Sequence, residues 1–122
     1  MRNVVVALVL VMGCAGAADA QRMPVSQFLA KADALQKKGA LALLSSDIGL
    51  LKREIQNSAK QLRAEQVAAQ KAGRKTSTCM PAKASMNSNE LLAHFRSIPP
   101  HQRNMTVKAG LMGLMQKKFP CP

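Results

Sequence analysis

The chain has 122 residues, a formal net charge of +12, three Phe, and neither Trp nor Tyr. That length fits one small domain, whose core must then come from Leu, Ile, Val, Met and Ala. Base stacking on aromatic side chains has almost nothing to work with, which argues against nucleic acid as the anionic partner of so basic a protein.

The first residues read as an export signal. Met1-Arg2-Asn3 is a short cationic start, Val4 to Met12 is an unbroken apolar run, and Ala18-Asp19-Ala20 is a small-x-small cleavage site. In that order they predict a secretory signal peptide over residues 1–20, cleaved after Ala20. The run falls short of the roughly 20 residues that a membrane-crossing helix needs. Val11-Met12-Gly13-Cys14 offers a competing reading, an imperfect lipoprotein box in which Cys14 would carry the anchor. Both place the protein in the periplasm or outside a Gram-negative cell. Both also leave Cys79 and Cys121 as an even pair, most simply a disulfide. Intermolecular pairing and metal binding are the alternatives.

From there on the chain reads as helices. A first helix is expected from Ser26 as N-cap, with Phe28, Leu29, Ala32 and Leu35 as its apolar stripe and Gly39 as its stop. A longer one is expected from about Ala40 to Ala72. Leu41, Leu44, Ile48, Leu51 and Ile55 step by three and four, and Leu62 extends the line. The heptad positions beyond Ile55 are Ser58 and Glu65, so the distal half is expected to project as a weakly packed basic helix. Gly73 to Thr78 is a linker. Asn87 and Glu90 then make a capping box, with Met86 and Leu91 as hydrophobic staple, opening a helix that ends before Ile98-Pro99-Pro100. A last helix is expected from about Gln102 to Lys118, in which Gly110 and Gly113 permit close approach of a neighbour. The expected organisation is therefore a leader (1–20), an N-terminal helical region with one long basic helix (21–76) and a helical hairpin (77–122).

If the last two helices form an antiparallel hairpin, Cys79 and Cys121 meet at its outer ends. A bridge there closes a loop of roughly 40 residues, worth about 4 kcal/mol in the chain-entropy model. Chemistry is harder to find. His94 and His101 lack the close ligand pairs of a zinc site. Met112 and Met115 at helical spacing could meet Cu(I), but Met at that spacing is core filler where aromatics are scarce. The carboxylates beyond the leader are Asp33, Asp47, Glu54, Glu65 and Glu90. Asp47 and Glu54 share a helical face without a His partner. No enzyme, metal or cofactor is expected. The candidate interaction surface is the basic distal stretch Lys60, Arg63, Lys71, Arg74 and Lys75.

The stretch CMPAKASMNSNELLAHFRSIPPHQRNMTVKAGLMGLMQKKFPC resembles the small periplasmic immunity proteins of the Rap/Tai type, associated with type VI secretion amidase toxins. The pattern is Cys79 with Pro81 close behind, a helix, a Pro-containing turn at Ile98-Pro99-Pro100, a second helix and a closing Phe119-Pro120-Cys121. The resemblance implies an all-helical exported protein that acts by binding another protein, with Cys79 and Cys121 as its structural bridge. The expected fold is thus a small all-α domain with one long basic helix and a disulfide-closed hairpin. The expected function is non-enzymatic binding of a periplasmic protein partner, immunity-like in mode. The alternatives are a holdase-type chaperone, or an envelope-associated protein whose basic helix meets an anionic polymer or lipid.

Overall fold

The computed structural model describes residues 23–122, and the expected leader with Cys14 lies outside them. The described residues form four α-helices: α1 (Val25–Lys38), α2 (Ser46–Lys71), α3 (Ser88–Ser97) and α4 (Val107–Lys118). Two short 3₁₀ turns, Gly39–Leu44 and Pro100–Gln102, join them. The fold is all-α, and Cys79 is bonded to Cys121.

The cap of α1 lies two residues earlier than its sequence suggests, at Pro24 rather than Ser26. The cause is tertiary. Val25 N–H donates to Met105 C=O, Ser26 N–H to Arg103 C=O, and Val107 N–H to Met23 C=O. These bonds satisfy helix-start donors that a serine cap would otherwise serve. The inner stripe is Val25, Phe28, Leu29 and Ala32, at the i, i+3, i+4, i+7 spacing of one helical face.

The expected single helix from Ala40 to Ala72 breaks near its start. Gly39, at φ 57, stops α1 and turns the chain into the 3₁₀ segment. Ser45 then caps α2, its hydroxyl accepting from Asp47 N–H at 3.3 Å. Leu41 and Leu44 therefore never join the buried stripe. Their three-residue spacing suits either kind of helix, and the serine cap decides between them.

The distal half of α2 does not project. Ser58, Leu62 and Gln66 are buried, and α2 packs more extensively on α4 than on any other element. The buried line runs Leu51, Ile55, Ser58, Leu62, Gln66, taking a step of four where the heptad count took three. It lands on Gln66 instead of Glu65, which lies outside and pairs with Lys108. The helix ends in a Schellman turn, Gly73 N–H donating to Gln70 C=O and Arg74 N–H to Ala69 C=O.

Asn87 caps α3 as expected, accepting from Glu90 N–H at 2.7 Å. The reciprocal half of the box is replaced: Glu90 turns to Lys118 at 2.9 Å. α4 begins at Val107 and not near Gln102, because Pro100–Gln102 closes its own 3₁₀ turn and Thr106 supplies the cap. The Thr106 hydroxyl accepts from Ala109 N–H at 3.1 Å.

Residues from both the N-terminal region and the hairpin share one core, centred on Phe95, Leu111, Val25 and Val107. Phe28 meets Phe95 edge to face, centroids 5.3 Å apart. Gly110 is what lets α4 come this close. A Cβ there would lie 3.0 Å from Val25 Cγ2 and 3.1 Å from Phe95 Cε1, on side chains with no room to retreat. Gly110→Ala should therefore lose about 1 kcal/mol net, because crowding of about 2 kcal/mol outweighs the helix-propensity gain of about 1 kcal/mol. Thermal unfolding checks this; a raised midpoint would show that the core yields.

Candidate functional site

The segment from Thr76 to Pro81 carries no regular structure, yet it is held on every side. Its centre is Gln66, reached from the buried face of α2. The Gln66 side-chain carbonyl accepts from Met80 N–H at 2.8 Å and from the Thr78 hydroxyl at 3.2 Å, while its amide donates to Met80 C=O at 3.1 Å. One side chain thus completes three polar groups that burial would otherwise strand. Cys79 N–H donates to Phe119 C=O at 2.8 Å, and Cys79 and Cys121 join with their Cα atoms 5.0 Å apart. Lys118 reaches across to Ser85 C=O and Glu90, and Phe119 packs against the core. The clasp thereby fastens both α2 and the end of α4 to one short strip of chain.

The candidate basic residues fall into two kinds. Arg63 is half-buried and structural, its guanidinium donating to Pro81 C=O at 2.6 Å. Lys60, Lys71, Arg74 and Lys75 are exposed. Lys60 and Lys71 lie three turns apart on the face of α2 opposite Leu62, so they project together away from the core. Arg74 and Lys75 follow directly, beyond the Schellman turn.

Elsewhere several carboxylates are paired. Asp47 pairs with Lys31 at 3.3 Å, and Asp33 with Arg96 at 2.9 Å. Glu54 lines a mixed polar and apolar cleft of about 950 Å³ between α2 and the start of α4, alongside Arg53, Gln61, Glu65 and Lys108. His94 lies 3.0 Å from Gly110 C=O, in space left open by Gly113. Burial pushes its imidazole below the ordinary histidine range, against the bond to Gly110 C=O, and Lys117 adds to the lowering. The neutral ring then donates from Nε2. His101 is exposed in the 3₁₀ turn, and Met115 is buried in the core beside half-buried Met112. Among the described residues no group of three or more His, Cys, Asp or Glu could hold a metal ion.

One surface was not foreseen. Leu41, Leu43 and Leu44 are 67%, 82% and 85% exposed, and they are the large hydrophobic residues that stand out most among those described. Beside their turn, an apolar groove of about 580 Å³ runs between α1, α2 and α3, lined by Leu35, Ile48, Ile55 and Leu92, with Lys52 at its edge. The sequence signal for it was Ser45-Ser46-Asp47, a helix start that detaches the preceding leucines from the helix behind it. Comparison with protein-family models, curated proteins and solved structures found no match to this chain.

Proposed function

We propose that this chain is an exported, non-enzymatic binding protein that holds another protein, immunity-like in its mode of action. The observation that supports this reading most is the charge left over after folding. Asp33, Asp47, Glu65 and Glu90 are each paired with a cation of the same chain. Lys60, Lys71, Arg74 and Lys75 meanwhile stand exposed, with no carboxylate partner among the described residues. Lys60 and Lys71 stand on one face of α2 and Arg74 and Lys75 follow its closing turn, so an acidic protein surface meets four cations on neighbouring backbone positions. The Cys79–Cys121 bridge suits an oxidising compartment, and its resemblance to the closing pattern of Rap/Tai-type immunity proteins points the same way.

The test is affinity capture from periplasmic extract of the source cell under non-reducing conditions. The parent protein is run beside a variant carrying Lys60→Glu, Lys71→Glu, Arg74→Glu and Lys75→Glu. The expected result is an acidic partner whose affinity falls at least about tenfold in the variant and declines as salt is raised. A partner held equally by both, or none at all, would overturn the reading.

A further inference from the structure

We infer that the 3₁₀ turn Gly39–Leu44 is a docking point for an anionic phospholipid bilayer. Leu41, Leu43 and Leu44 rise from the fold largely exposed. With three residues to each turn of a 3₁₀ helix, Leu41 and Leu44 stack on one side while Leu43 faces another. A rigid protein surface would cover one of these sides. A fluid bilayer, into which the turn sinks, covers both. Flanking the leucines, the charge without an ion-pair partner is of one sign. Lys37 and Lys38 immediately precede the turn and Lys52 edges the adjoining groove, all three exposed. The acidic groups nearest in sequence, Asp33 and Asp47, are already paired with Arg96 and Lys31.

Apolar side chains at the tip with lysines behind them match the layering of a lipid surface, acyl chains inside and anionic headgroups outside. No described helix is long and apolar enough to cross a membrane, and the contact is a shallow one. This inference does not rest on the protein partner proposed above. The leucine turn precedes the start of α2, while Lys71, Arg74 and Lys75 of the basic surface lie at its far end; at 26 residues the helix is about 39 Å long. A protein docked by its leucines would hold Lys71, Arg74 and Lys75 out from the membrane.

The test is co-flotation of the exported, oxidised protein with vesicles. Phosphatidylglycerol-rich vesicles should bind it and pure phosphatidylcholine vesicles should bind it weakly. Changing Leu41, Leu43 and Leu44 together to Ser removes only exposed side chains, so circular dichroism should be unaltered while partitioning falls about a hundredfold. Lys37→Gln with Lys38→Gln should lower it about tenfold on the anionic vesicles alone. Equal flotation of parent and leucine variant would overturn the inference. So would leucine-dependent self-association, or leucine-dependent suppression of a client's aggregation, without vesicle binding. In that case the exposed turn serves a second copy or an unfolded chain.

Discussion

Changing Cys79 and Cys121 together to Ser is expected to cost about 4 kcal/mol of stability. The bridge spans a sequence separation of 42, and its main effect is to restrict the unfolded chain. For a domain of this size, with a total stability of about 5–15 kcal/mol, that is a large fraction. Denaturant titration should show a lower midpoint, and intact mass of the parent should rise by two hydrogens on reduction. An unchanged midpoint, or two free thiols in the parent prepared without reductant, would sink the structural role. The loss should not be uniform. Hydrogen exchange should quicken first in the last turn of α4, where Phe119 C=O accepts from Cys79 N–H and Lys118 holds Ser85 and Glu90.

Gln66→Leu should cost about 3 kcal/mol, although the position is buried and the new side chain is apolar and of similar size. The loss arises in what Gln66 serves. Met80 N–H, Met80 C=O and the Thr78 hydroxyl each lose their partner. Gln66→Glu separates the parts of this effect. A protonated carboxyl can donate to Met80 C=O and accept from the other two groups, whereas the ionised form cannot donate and is charged in a buried site. Burial raises the carboxyl's folded-state pKa above its unfolded value. Stability is then retained at low pH and lost as pH rises through the folded pKa. Denaturant midpoints across pH check the sign; a Glu variant that gained stability on raising pH would contradict it. Gln66 and the disulfide hold the same strip of chain, so the triple variant should lose less than the sum of the two losses.

Much of this was open to inspection in the residues themselves. Asn87 ahead of Glu90 marks the start of α3, Lys37-Lys38-Gly39 the end of α1, and the paired cysteines the clasp. Each of these signals is local, and local chemistry decides them. Gln66 was hidden because its position reads as polar on a fading stripe, and only the folded chain brings Thr78 and Met80 within its reach. The start of α1 was hidden for a related reason, since its donors are satisfied by residues near Met105. The break before Ser46 was visible in the serine cap but masked by leucines whose spacing suits a continuous helix. For the basic residues the sequence shows composition alone. It cannot tell that Arg63 turns inward to Pro81 C=O while Lys60 and Lys71 project outward.

The hydrogen bonds at the start of α1 also impose an order of events on folding. Met23, Val25 and Ser26 are joined to Arg103, Met105 and Val107, residues near the other end of the chain. A polypeptide that leaves a pore N-terminus first has its opening helix outside long before those partners arrive. α3 and α4, whose contacts are close in sequence, can assemble as soon as they emerge, and the beginning of the molecule then docks onto them. Until that moment Val25, which packs against Gly110 of α4, remains uncovered, so the interval before α4 appears is one of exposure to proteases and aggregation.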